Sequence, residues 1–226
     1  MDGKVIVVTG ALGALGSVVV DEALARRARI ASVDHAPTQA PATADLFELG
    51  GVDLTDAAQA RKAIDAAASH FGKIDALINV AGGFAFETVA DGDPKTWQRM
   101  YALNVTTALN ASRAAIPHLA ASGNGRIVNI GAMGALQASA GMGAYAASKA
   151  GLHRLTEALA AENKGKITVN AVLPSIIDTD ANRASMPKAE FTKWVRPKEL
   201  ADVILFLASD AASAVTGALL PVNGRV

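Results

Sequence analysis

The chain has 226 residues, is 51% hydrophobic and 19% charged, and carries 21 Lys and Arg against 21 Asp and Glu, a formal net charge of zero. That length suits one α/β domain with a large core, the charge balance argues against a nucleic-acid surface, and the absence of cysteine removes disulfide and thiolate chemistry. No apolar run reaches the roughly 18 residues of a membrane helix and the start, Met1-Asp2-Gly3-Lys4-Val5, shows no signal-peptide pattern, so a cytoplasmic globular protein with no membrane or metal site is expected.

Strand-like and helix-like runs alternate along almost the whole chain, the pattern of a parallel sheet covered by helices. Val5-Ile6-Val7-Val8 is an unbroken β-branched run suited to a strand buried on both faces. Residues 15–27 have helical apolar spacing, and 29–34 form a second strand. Residues 37–44 are polar and broken by proline, which speaks against a helix. Leu46-Phe47-Glu48-Leu49 is a third strand, followed by a helix over 55–71 with Thr55 as N-cap and a fourth strand over 74–79. Residues 94–121 read as one long helix, with Pro94 in its first turn and Pro117 placed to kink its end. A fifth strand (126–130), a helix (143–163), a sixth strand (167–173), a helix (199–208) and a last strand (218–222) complete the series. Residues 174–197 lack clean periodicity and read as a mobile loop over a site.

Thr9-Gly10-Ala11-Leu12-Gly13-Ala14-Leu15-Gly16 joins the first strand to the first helix. Glycines at such a junction let backbone approach a pyrophosphate and seat it on the helix N-terminus, where free N–H groups and the dipole favour anions. A glycine-rich turn that binds nothing is the alternative, and the strand–helix context weighs against it. Asp34 ends the second strand, where a carboxylate can accept bonds from ribose hydroxyls and repel a 2′-phosphate. The loop holds no Lys or Arg, so NAD(H) is expected over NADP(H). Asp53 either bonds the adenine amino group or caps the next turn. Tyr145 and Lys149 lie one helical turn apart on one face. That places an ammonium where it would stabilise a phenolate, lowering a tyrosine that ordinarily titrates near ~10.

These residues resemble the short-chain dehydrogenase/reductase family. The likeness covers nearly the whole chain: the loop over 9–16, Asn79-Val80-Ala81-Gly82, Asn104, Tyr145 with Lys149, and Pro174-Ser175-Ile176-Ile177-Asp178-Thr179. It implies a single Rossmann domain over 1–226, a doubly wound α/β sheet of about seven strands, with 174–197 covering the substrate. It also implies cofactor contacts from Gly10, Leu12, Gly13, Ala14, Leu15, Gly16, Asp34, Asp53, Asn79, Ala81, Gly82, Tyr145, Lys149, Pro174, Ile177 and Thr179. By the same resemblance Tyr145 is the general acid/base, Lys149 bonds the nicotinamide ribose, and Asn104 holds a water in a proton relay. Two departures are mild: Ala14 stands where the family has glycine, and Ser175 where it has the glycine of Pro-Gly.

Ala132 is the serious departure, since the family has a serine there that bonds the substrate carbonyl. Losing one such donor costs on the order of 2.7–4 kcal/mol of transition-state stabilisation. Ser139 or Gln137 is the candidate replacement. Within the family the chain looks most like the dihydropteridine reductase subgroup, in which alanine at this position is no defect. The likeness lies in Val80-Ala81-Gly82-Gly83-Phe84, Gly131-Ala132, Gly141-Met142 and the run from Asn182 to Phe191 ending near Trp194. A quinonoid dihydropterin is electron-poor and flat, so Phe84 and Trp194, and less so Trp97, are candidate stacking partners. The expected activity is therefore an NADH-dependent reduction of such a substrate, with Phe84, Ala132 and Trp194 beside it. The rivals are a carbonyl reductase or alcohol dehydrogenase on an oxoacyl-type substrate, and an NAD-binding regulatory protein. Ala111, Ala114, Ala115, Ala158, Ala160 and Ala161 suggest close helix packing in a homodimer or homotetramer.

Overall fold

In the computed structural model, which describes residues 1–226, seven parallel strands form one sheet in the order β3-β2-β1-β4-β5-β6-β7. The strands are β1 (Val5–Thr9), β2 (Arg29–Val33), β3 (Leu46–Leu49), β4 (Ala76–Asn79), β5 (Gly125–Ile130), β6 (Ile167–Pro174) and β7 (Leu219–Val222). Side chains alternate between sheet faces, and β1 shows the result. Ile6 and Val8 enter a core shared with α1 (Gly16–Ala25) and α7 (Pro197–Leu207). Val5 and Val7 enter a second core with α2 (Ala57–Phe71), α4 (Thr107–Ala121) and α5 (Gly143–Glu162). Both faces are covered, which explains why the strands read as continuous apolar runs. The strand order reverses between β1 and β4, so a crevice opens above their carboxyl ends, the usual place for a ligand in an open α/β sheet.

The structure changes four expectations. The N-cap of α2 is Asp56, whose carboxylate accepts from Ala58 and Gln59 N–H, while the Thr55 hydroxyl turns to Asp53. The long helix expected over 94–121 is not continuous: α3 (Pro94–Tyr101) passes through a π-helical stretch, Ala102–Thr106, before α4 begins. There the Thr107 N–H reaches back to Ala102 O, and the wider turn carries Asn104 toward the β4 exit. Pro117 lies inside α4 without ending it. Residues 174–197 are ordered into α6 (Asp180–Ser185), a 3-10 turn at Phe191–Lys193 and a parallel bridge between Ile177 and Val195. Lastly, Ala111, Ala114, Ala115 and Ala160 face the molecule's own core. The exposed large apolar side chains on α3 are instead Trp97 and Tyr101. No helix is long and apolar enough to cross a membrane.

Candidate active site

The loop after β1 is built on two glycines that nothing else replaces. Gly10 has φ +62°, and a Cβ there would lie 2.7 Å from Ala81 N; a Cβ on Gly16 would overlap Gly10 O. The loop thus folds onto the exit of β4, where the Thr9 hydroxyl accepts from Ala81 N–H at 3.2 Å. Gly10, Leu12, Gly13, Ala14 and Leu15 line one end of a cleft of about 1590 Å³, with Asp34, Asp53, Ala81 and Gly82 beside them. Gly16 and Asn79 lie beneath this lining; the Asn79 amide donates to Asn129 Oδ1 at 2.8 Å and to Ser112 Oγ at 3.2 Å. The bare glycine backbone at a helix N-terminus is the cradle a pyrophosphate requires, so the residues present fit a dinucleotide.

Asp34 is fixed from both sides, Oδ2 accepting from Leu12 N–H and Oδ1 from Ala36 N–H, each at 2.9 Å. Asp53 accepts from the Thr55 hydroxyl at 2.7 Å and the Thr55 N–H at 2.9 Å, bonds that hold its carboxyl below the usual range. It therefore caps the turn and lines the cleft at once.

Toward the other end lie Tyr145, Lys149 and Ala132, with Pro174, Ile177 and Thr179 along the β6 exit. Lys149 is buried and its ammonium donates to Ile130 O at 2.7 Å; burial holds its pKa down at about 8. Burial pushes the Tyr145 phenol up to about 12. In the protein alone burial works against the acidification expected of the phenol: the ammonium is held by a carbonyl, and desolvation is the main influence on both groups. Asn104 is fully buried, accepting from Gly83 N–H at 2.9 Å and donating to Gly83 O and Ser148 Oγ at 3.0 Å. Its amide clamps the β4 exit to α5.

Phe84 lines the cleft and packs edge-on against Tyr145, ring centroids 5.0 Å apart. Trp194 corrects the expectation: it is 3% exposed, packs on Phe191 and lies outside the cleft lining. Gln137 and Ser139 are exposed and also outside it, so neither stands in for the missing serine. Trp97 packs its ring on Gly143 instead. Sequence reading missed Phe86 and Arg99, both in the lining, where Met142 and Met186, noted only within the resemblance, also stand. It also missed His153.

His153 stands one turn beyond Lys149 on the face of α5 that carries Tyr145, a spacing that the sequence does show. It is buried, its Nε2 accepts from Ala132 N–H at 3.3 Å, and a Cβ on Gly131 would come within 2.5 Å of it. Burial first, then the charges of Lys149 and Arg154, hold the imidazole down at about 4. Between that value and the ordinary 6.5 the unfolded chain binds the proton better. The contribution to stability is therefore complete above about pH 6.5 and lost as pH falls toward 4. We expect Tm to drop across this window, and His153→Leu to flatten the drop whatever it does to the plateau. Parallel Tm–pH curves for the two proteins would refute the assignment.

The chain matches the family model described as short chain dehydrogenase over residues 4–190. It belongs to that family. Among its relatives, 2-(S)-hydroxypropyl-CoM dehydrogenase 3 of Xanthobacter autotrophicus is 31% identical, covering 99% of this chain and 96% of the relative. The 3-oxoacyl-[acyl-carrier-protein] reductase of Escherichia coli is 29% identical, covering 99% and 97%. A crystal structure of 3-ketoacyl-(acyl-carrier-protein) reductase from Brucella melitensis complexed with NADH superposes with TM-score 0.86 at 29% identity, over 99% of this chain and 98% of that one. This short-chain dehydrogenase is accordingly an oxidoreductase whose fold binds a nicotinamide dinucleotide. The expected placement in the dihydropteridine reductase subgroup finds no support in these relatives, which are dehydrogenases and oxoacyl reductases by name.

Proposed function

We propose that the protein interconverts a carbonyl and a secondary alcohol on a small molecule, using NAD(H), and that its carbonyl is one already polarised by conjugation or a neighbouring acyl group, as in 3-oxoacyl compounds. The observation that carries this reading is that Tyr145, Lys149 and Ala132, which has no hydroxyl to offer, line one cleft. The dinucleotide, when bound, supplies or takes up the hydride. Tyr145 remains a phenol at neutral pH and so suits protonation of the substrate oxygen as negative charge develops there. Lys149, anchored by Ile130 O, provides the one positive charge near that proton. Asn104 sets the β4 exit against α5, and residues 174–197 exclude water from the site.

Asp34 supports the choice of NAD(H), because its carboxylate is pinned where a ribose hydroxyl would bond and a 2′-phosphate would be repelled. Replacing it, Asp34→Ala, is expected to raise the ratio of NADPH to NADH efficiency by roughly tenfold or more. Side-by-side kcat/KM values with the two dinucleotides check it, and an unchanged ratio would mean that this carboxylate does not set the preference. The defining experiment records NADH oxidation with a 3-oxoacyl thioester, an aryl ketone and a simple aliphatic ketone. Failure of every carbonyl to exceed a Tyr145→Phe control rejects the reading.

One observation favours a second reading. Ala132 together with the exposed ring of Phe84 suits a flat, electron-poor acceptor such as a quinonoid dihydropteridine, which needs no second donor. Turnover of chemically generated quinonoid dihydropterin in the same assay, exceeding that of the carbonyls, would select it. A homo-oligomer working in the cytoplasm belongs to the same proposal, with light scattering of the purified protein as its check.

A further inference from the structure

Arg99 is a cation facing the cleft whose charge has no partner. The other ions of the lining are engaged: Asp34 and Asp53 by N–H groups at the loop end, and Lys149 by Ile130 O. Other exposed arginines are matched with carboxylates (Arg154 with Glu157, Arg183 with Asp178, Arg196 and Arg225 with Glu199) or, like Arg61 and Arg113, lie away from the cleft. Arg99 has neither an ion pair nor a side-chain hydrogen bond, although it lines the cleft. It sits in the last turn of α3, about a turn and a half (roughly 8 Å of helix) before Asn104. Asn104 in turn lies beside Gly82 and Lys149, since a Cβ on Gly82 would come 2.6 Å from Asn104 Oδ1 and 3.4 Å from Lys149 Nζ.

Apolar side chains make up much of the same lining. Leu103 packs on Gly83, Phe84 on Tyr145, and Phe86 on Gly141, next to Met142. Phe86 stays 66% exposed, and its segment is tied down by Glu87 N–H donating to Gly141 O at 2.8 Å. An apolar lining that shares one cleft with the phenol and an unpaired guanidinium suits a ligand with an apolar body and a charged end.

We propose that Arg99 anchors an oxyanion (a carboxylate, sulfonate or phosphate) at the end of the substrate remote from its carbonyl. The substrate class is then an acidic carbonyl compound with an apolar spacer, an inference that rests on the carbonyl chemistry proposed above. A planar guanidinium is well suited to such a group, which it can hold through two parallel N–H bonds.

The test uses 4-acetylbenzoate and its neutral methyl ester, whose carbonyl is conjugated and whose ring suits the aromatic wall. Equilibrium binding of each to the NADH-loaded protein is read from nucleotide fluorescence, and turnover is recorded in parallel. The wild type is expected to bind and use the acid on the order of tenfold better than the ester. Arg99→Gln should erase that preference, the loss falling on the KM of the acid, and Arg99→Lys should keep part of it. Equal binding of acid and ester by the wild type, a preference that survives in Arg99→Gln, or an effect confined to the KM of NADH each overturns the proposal. If the acid is preferred in binding but neither compound is reduced, the anion site stands and the carbonyl reading falls.

Discussion

Replacing Tyr145 with Phe is expected to lower kcat for NADH-driven carbonyl reduction by a factor of about 10²–10⁴, the usual contribution of a positioned acid or base, a far larger effect than on NADH affinity. The ring that packs edge-on against Phe84 is kept and only the hydroxyl goes, so the loss reports proton transfer and not packing. The pH profile supplies a second check. Because Tyr145 stays protonated up to about 12, it sets no limb in the accessible range. Lys149 does, since its ammonium is present below about 8 and lost above it. The kcat/KM for NADH, which reports the free protein, should therefore fall as pH rises through about 8. Stability runs the other way. The folded protein sheds the Lys149 proton before the unfolded chain does, so Lys149 costs stability below about pH 8 and the cost fades as pH rises to 10.5. A Tyr145→Phe protein that keeps more than a tenth of the activity would show that the proton comes from elsewhere.

The sheet was legible because its signals are local and redundant. Four β-branched residues in a row at 5–8 leave few alternatives to a doubly buried strand, and the glycine loop at 9–16 dictates that a helix comes next. What escaped were features that depend on partners far away in the chain. The π-helical turn at Ala102–Thr106 has no periodicity of its own, and the bonds that Asn104 makes from it go to Gly83, twenty-one residues away. Trp194 looked like a ligand platform in a loop beside the substrate, yet the bridge of Val195 to Ile177 draws it into the core. The burial of Tyr145 and Lys149 escaped for a different reason. Helical spacing places a lysine near a tyrosine, but the Ile130 carbonyl that captures the ammonium comes from β5, and burial of the phenol depends on the β4 exit. The role of Phe86 is set the same way, by a glycine at 141 whose missing Cβ makes room for its ring.

Ala132→Ser is expected to raise reduction of an unactivated aliphatic ketone by roughly 10²–10³-fold, the reverse of deleting one oxyanion donor, with little effect on a conjugated or 3-oxoacyl carbonyl. Ala132 lies two residues past the end of β5 in extended geometry, φ −159° and ψ 143°, is buried, and is held by its N–H to His153. The added hydroxyl therefore enters a fixed backbone and should not disturb the dinucleotide end of the cleft, so the KM of NADH is expected to stay constant. Comparing kcat/KM for the two carbonyl classes in both proteins decides the matter. A large gain confined to the plain ketone means that the wild-type cleft works on substrates whose own electrons make the second donor unnecessary. A gain of similar size on every carbonyl would mean that the native substrate is still untried. No gain at all would mean that a donor already reaches the substrate oxygen from residues 174–197, where Thr179, Asn182 and Ser185 line the cleft. Ser185 is the first of these to remove, because its hydroxyl is held only by Asn182 O at 3.0 Å on the exposed face of α6.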